Sequence, residues 1–415
     1  MSILFKSLKL IDDRVHDPAD YIFEGDEIKK VSAQTITSDQ LEEIDCSGWL
    51  ASKGWIDLRC FAGEPGLEHR ETLESLGDTL KKSGFVEAVL LPNTVPAIQS
   101  KNEVEFIKSK IRNFFTTIHL QGAITKDTLG EDFTDILDMH HHGVRIFGEG
   151  TVPLSNSDRM MKALQYLQKF NGILFDHSYD PLLAMFGQMH EGLTSTQIGL
   201  KGIPAMAEEV AVKRNIDILK YTGGSLHFQT VSTAGVVEAI RQAKEEGLQV
   251  TADVSLYQLL FSDQDLIDFD TNLKVIPPYR GNEDREALIE GLTDGTIDAI
   301  VSNHQPLEVD AKHMEFDLAA FGMLGLPTFL HGLIQLEKEL GWPMLISKIT
   351  KGPSKVLQRA ETGFDTLTIF DPREEWRFDR YSNPSLSENS PWFNGRLNGR
   401  IKFLINKGKL ERING

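Results

Sequence analysis

The 415-residue chain is short of several things, and each shortage excludes a class of protein. It has only two cysteines, Cys46 and Cys60, too few for a disulfide framework, so a reducing, cytoplasmic setting is expected. No apolar run approaches the roughly 18 residues of a membrane span. The first residues, Met1-Ser2-Ile3-Leu4-Phe5-Lys6, run straight into an alternating strand pattern, without the apolar stretch and cleavage site of a secretory leader. Basic residues are outnumbered: 43 Lys and Arg against 61 Asp and Glu give a net charge of −18. That balance argues against nucleic acid or an anionic membrane as partner, while leaving room for a local basic pocket. No repeat at solenoid spacing and no low-complexity segment is present.

What is there is 40% hydrophobic, enough for one large core and a smaller one. Short strands are expected at Ser7–Ile11, Tyr21–Glu24, Lys29–Val31 and Glu43–Cys46, broken by turn signals at Asp12-Asp13 and Gly25-Asp26. A matching set lies at the other end: Thr366–Phe370, Trp376–Phe378 and Arg400–Asn406, with a turn at Lys407-Gly408. Neither set can fold alone, so residues 1–50 and 361–415 are expected to pair into one small β-sandwich. Between them, strands and helices alternate, which predicts a parallel sheet with helical crossovers. The expected strands are Trp55–Leu58, Val86–Leu91, Thr117–Ala123, Val144–Phe147, Gly172–Asp176, Ser225–Thr230, Gln249–Val254 and Ala299–Ser302. The fold class is therefore α/β, with a (β/α)8 TIM barrel over residues 51–360. Glu208 and Glu209, on a helix with apolar residues at helical spacing, are expected on its solvated face.

Chemistry in such a barrel sits at the C-terminal ends of the strands. The first end reads Gly54-Trp55-Ile56-Asp57-Leu58-Arg59-Cys60-Phe61-Ala62-Gly63-Glu64-Pro65-Gly66. The second reads Leu91-Pro92-Asn93-Thr94, the fourth Phe147-Gly148-Glu149-Gly150 and the fifth Asp176-His177-Ser178. The sixth reads His227-Phe228-Gln229-Thr230-Val231-Ser232-Thr233-Ala234, and the eighth Ser302-Asn303-His304-Gln305-Pro306-Leu307. Lys274-Val275-Ile276-Pro277-Pro278-Tyr279-Arg280 and Asp294-Gly295-Thr296-Ile297-Asp298 precede the eighth. In this order, and over nearly the whole chain, these stretches resemble the dihydroorotases of the amidohydrolase superfamily.

The resemblance implies an amidohydrolase-type barrel and, for an active member, zinc hydrolysis of a cyclic amide in pyrimidine synthesis. This sequence departs from the pattern where the chemistry lies. Arg59 and Phe61 replace two zinc-binding histidines, and Thr230 replaces another. His177 is the ligand kept, and Glu149 keeps a carboxylate at strand four. Asn303 stands at the aspartate that serves as ligand and general base, and an amide cannot take a proton in that role. Arg59 is permanently cationic, and Phe61 has no ligand atom. Substrate contacts are replaced at Gly63, Ile276 and Leu307, while Asn93 matches a substrate-touching asparagine. Asn in a Pro-flanked turn is an equal reading of Asn93. His140-His141-His142 fan around a helix end and cannot all face one ion.

These exchanges lead to an expected catalytically silent homologue with no metal and no catalytic residue. Inactive members of the resembled family assemble with aspartate carbamoyltransferase, so a structural or regulatory role beside that enzyme is expected, together with homo-oligomers. Two other readings stay open. Glu149, His177, His227 and His304 could hold one zinc in a rebuilt active site. Alternatively, Arg59 with Asn93 and Arg145 could bind a small carboxylate, making the chain an anion sensor. The plainer account of Arg59 is an ion pair with Glu149 or another acid that keeps the emptied pocket satisfied.

Overall fold

Trp55 anchors the architecture because its ring is fully buried where barrel and terminal sheet meet. It packs edge-on against Phe85 and Phe370, and its indole N–H donates to the Ser52 hydroxyl at 2.9 Å. The computed structural model describes residues 2–24, 27–31, 41–359 and 365–413. Within them an eight-stranded parallel sheet curls into a nearly closed barrel. Its strands are Trp55–Cys60, Phe85–Leu90, Thr117–Ala123, Ile146–Gly148, Ile173–Asp176, Leu226–Phe228, Val250–Ser255 and Ala299–Val301, called strands one to eight below. Strand one meets the end of strand eight through a parallel bridge between Cys60 and His304. Each expected barrel strand is present, Thr117–Ala123 with the expected ends and the others with an end moved by one to a few residues.

The crossover helices start where local chemistry satisfies their free N–H groups. Helix Leu73–Lys82 is opened by Thr72 and Ser75, whose hydroxyls each accept from the other's backbone N–H. Ser100 and Glu103 do the same for Lys101–Ile111. Thr233 caps Ala234–Glu245, so part of the Ser232-Thr233-Ala234 motif is structural. Gly295, at φ +87°, ends helix Asn282–Asp294 in the left-handed conformation that favours glycine. The apolar faces of these helices and the outer faces of the strands share one large core. A smaller core of Ile56, Leu58, Val89, Ile146, Ile173, Phe175, Ala299 and Val301 fills the barrel interior.

The two chain ends form a separate sheet around Ile3, Phe5, Phe23, Leu367, Ile369 and Phe403. Strand Ser2–Ile11 is bent by a bulge between Phe5 and Leu8, with Ser7 at φ +58°. Its first half pairs with Ala19–Glu24 and Leu41–Asp45, and its second half pairs with Leu50–Lys53. That last strand was not expected. It pairs onward with Leu367–Arg377, carrying the terminal sheet past the expected boundary at residue 50. Thr366–Phe370 and Trp376–Phe378, expected as two strands, are one strand, Leu367–Arg377. The expected turn at Gly25-Asp26 and the boundary at 360/361 lie outside the described residues. No helix among the described residues is long and apolar enough to cross a membrane.

Candidate functional site

Strand one delivers Arg59 to the centre of the barrel mouth. Between Asp57 and Cys60 it has one residue more than strand two opposite, and such a bulge re-aims side chains. Arg59 is 0% exposed. Its Nε donates to Asn303 Oδ1 at 2.9 Å, and its Nη1 donates to Gln229 Oε1 at 2.9 Å and to the Gly150 carbonyl at 3.1 Å. One side chain thus bonds the ends of strands four, six and eight from strand one. Burial lowers its pKa to about 10, against the pull of Asp253 and Asp57, so it stays cationic at neutral pH.

All three partners of Arg59 are neutral, and among the described residues it makes no ion pair within 4.0 Å. The expected pairing with Glu149 is not made. Strand three captures that carboxyl instead: Oε1 accepts from the Thr125 N–H at 2.9 Å and its hydroxyl at 2.8 Å. Burial pushes Glu149 up to about 7, which removes much of the charge that would draw Arg59 to it. Asp57 accepts from the Ser302 N–H and hydroxyl, at 2.8 and 2.5 Å, and burial raises it to about 7 as well.

His177 is buried, with Nδ1 3.0 Å from the Thr230 hydroxyl and Nε2 without a partner among the described residues. Burial first, then Arg59, hold its pKa well below the ordinary value, so the ring is neutral. Thr230 and Asn303 sit at φ +52° and +45°, backbone conformations that a non-glycine residue adopts at a cost and that cluster at functional sites. Phe61 is buried just past the strand end, its N–H on the His304 carbonyl at 3.1 Å. Asn93 braces strand four: its amide donates to the Glu149 carbonyl at 3.0 Å, and its oxygen accepts from the Thr151 N–H at 2.9 Å.

The four residues of the rebuilt metal site are not brought together. His227 is held inside by Asp253 at 2.8 Å and Thr251 at 2.9 Å. The His304 Nδ1 accepts from the Gly325 N–H at 3.2 Å, and its Nε2 faces Glu71 at 3.6 Å. Zinc does not fit the donors present: a guanidinium fills the centre, the Thr230 hydroxyl serves His177, and the Asn303 oxygen serves Arg59. Among the described residues no three His, Cys, Asp or Glu side chains converge on a common point. Cys60 points out of the mouth, its thiol toward the Val89 carbonyl at 3.4 Å.

The backbone at the substrate positions is engaged within the fold. At Gly63 any Cβ would meet the Leu67 carbonyl oxygen at 1.9 Å, because Gly63 and Leu67 close a tight turn through a 2.6 Å hydrogen bond. The Leu307 N–H is tied to Asn389 Oδ1 at 3.1 Å, and Ile276 stands beside Pro277. Arg145 is exposed at the opposite, N-terminal end of strand four, where it donates to the Asn171 carbonyl, so it cannot join Arg59.

Several site residues carried no signal in the sequence, Gln229 and Gly150 above all. Glu208 corrects an expectation: it is 4% exposed rather than solvated. Its carboxylate accepts from the Ser232 N–H and hydroxyl and lies 3.5 Å from the Arg280 guanidinium. Arg280 in turn donates to the Ser232 hydroxyl at 3.0 Å and the Ile203 carbonyl at 2.9 Å. Only Glu209 faces solvent as expected, paired with Lys213 one turn on.

Relatives share this framework. A family model described as dihydro-orotase-like matches residues 48–235. A dihydroorotase of Caldanaerobacter subterraneus is 34% identical over 421 residues, covering 99% of this chain and 97% of its own. One of Pelotomaculum thermopropionicum is 36% identical, covering 96% and 95%. Among solved structures, an L-hydantoinase from Arthrobacter aurescens superposes with a TM-score of 0.84 at 20% identity over 99% of this chain. That likeness gives the amidohydrolase-type fold, and the full-length relatives give the family: the chain belongs to the dihydroorotases.

Proposed function

We propose that this dihydroorotase homologue has given up zinc and hydrolysis and serves pyrimidine biosynthesis as a structural or regulatory partner, with aspartate carbamoyltransferase as the protein it supports. The observation that carries the reading is the Arg59–Asn303 bond: a permanent cation sits among the ligand positions, hydrogen-bonded to the residue at the general-base position. Hydrolysis needs an activated water and a group to take its proton, and an amide already accepting from a guanidinium supplies neither. The scaffold motifs are meanwhile used for folding. Thr233 caps a helix, Ser232 binds Glu208, and Asp298 takes Lys244 and Lys355 at 2.7 and 2.9 Å.

The partnership rests on the family resemblance. It is tested by sedimentation of the purified chain with aspartate carbamoyltransferase at micromolar concentration. Co-migration with altered carbamoyltransferase assembly supports it, and independent migration refutes it. The name shared by full-length relatives favours a second reading, a working dihydroorotase. Stoichiometric zinc by elemental analysis, together with turnover of dihydroorotate, would establish that reading instead.

A further inference from the structure

Arg59 leaves a question of charge. A buried guanidinium without a direct counter-ion costs several kcal/mol in lost hydration. Asp253 and Asp57 act on it only at longer range, and both are engaged elsewhere: Asp253 accepts from His227 and the Thr230 N–H, Asp57 from Ser302. Among the described residues the Nη2 of Arg59 has no partner. Neither has the Nε2 of Gln229. Its orientation is forced, since Arg59 Nη1 can only donate, so the Gln229 oxygen faces Arg59 and the NH2 is left over. The third unpartnered atom is Nε2 of His177, close enough to Arg59 for its charge to depress the ring's pKa. When the Thr230 hydroxyl donates to Nδ1, the proton of the neutral ring sits on Nε2. All three residues are at most 2% exposed. Three buried nitrogens without a partner among the described residues, one of them on a cation, therefore belong to neighbouring side chains at the barrel mouth.

We propose that a small monovalent anion, of halide or formate size, is bound at the barrel mouth by Arg59 Nη2, Gln229 Nε2 and His177 Nε2. The inference rests on reading the barrel mouth as a site without zinc. The anion supplies the contact counter-charge that no carboxylate among the described residues provides within 4.0 Å, and the burial of its three donors limits its size. It acts as a structural ion that locks strands one, five and six together.

The test uses the full chain, exchanged into sodium gluconate and titrated with sodium bromide at constant ionic strength. A saturable rise in Tm of about 2 °C or more is expected. Crystals grown in bromide should give an anomalous peak within hydrogen-bond reach of Arg59 Nη2. The variant Gln229→Glu places a carboxylate against the guanidinium, so its unfolding should stay cooperative and lose the bromide response. If that variant does not fold, the anomalous map decides. No anomalous peak, with only ordered water beside Arg59 and a flat Tm titration, overturns the proposal. Elemental analysis of the same sample separates the failures. Stoichiometric zinc overturns both this inference and the zinc-free reading, whereas a zinc-free sample with no bromide response overturns the anion alone.

Discussion

Arg59 Nε and Asn303 Oδ1 are 2.9 Å apart although 244 residues separate them, so one hydrogen bond joins the two edges of the barrel at the site. Replacing Arg59 by Met removes the donor to Asn303, Gln229 and Gly150 at once. The expected loss of unfolding free energy is about 3–5 kcal/mol, read from urea titrations. Asn303→Asp does the opposite, turning a neutral acceptor into a charged one, and should gain about 1 kcal/mol. Because Arg59 and Phe61 remain, that variant should still show no dihydroorotate turnover. Activity in Asn303→Asp alone would refute the account of the site.

Glu149 predicts an unusual pH dependence. Its pKa rises from 4.5 to about 7 on folding, so the folded state holds a proton that the unfolded chain releases. The associated stability is fully present below about 4.5 and is lost as pH rises through about 7. Each pKa unit is worth about 1.36 kcal/mol, so the swing is on the order of 3 kcal/mol. Glu149→Gln keeps the acceptor for Thr125 and cannot ionise. Asp57 titrates in both proteins, so the difference between their stability profiles from pH 4 to 8 isolates Glu149. Parallel profiles would sink the assignment.

Gly63 sets a limit on restoring the substrate site. An arginine there would carry a Cβ into the Leu67 carbonyl at 1.9 Å, against backbone rather than a movable side chain. Gly63→Ala alone should cost roughly 2 kcal/mol or more, within the range of overpacking a tight site. Gly63→Arg should cost at least as much and gain no affinity for dihydroorotate. Thermal melts and equilibrium dialysis check the two parts. Tolerance of Gly63→Ala within about 0.5 kcal/mol would show that the turn yields easily.

How much of this was legible in the sequence differed by element. The barrel strands are apolar runs bounded by turn residues, and the periodic signal places them even where, as in Ile146–Gly148, only three residues pair. Leu50–Lys53 escaped because it continues without a turn into the approach to strand one, and only its partner Leu367–Arg377 marks it as part of the terminal sheet. At the site, the identities of Arg59, Thr230 and Asn303 were readable as exchanges. Their partners were not, because Gln229 and Gly150 reach Arg59 through a bulge and through barrel closure. Glu208 was misplaced for a related reason. Helical spacing sorts core from surface, but Ser232 and Arg280 come from distant loops that roof that side of the helix.

Glu208 and Arg280 give the last prediction, which concerns the mouth as a whole. The pair is almost fully buried, with side chains 5% and 3% exposed, and Ser232 bonds to both. Burial raises the Glu208 pKa and lowers that of Arg280, and their mutual attraction opposes both shifts. Removing one partner strands the other charge, so Glu208→Gln or Arg280→Met alone should each cost about 3–5 kcal/mol. The double variant should cost much less than the sum, with a coupling of at least 1 kcal/mol. The Pro277-Pro278 loop carries Arg280, and Ser232 heads the helix capped by Thr233, so the single variants should loosen both. Hydrogen exchange should then rise at residues 277–281 and 231–237 while the terminal sheet stays protected. Additive losses, or exchange spread over the whole chain, would mean that the pair is an incidental contact and that the frame of the mouth is held by something else.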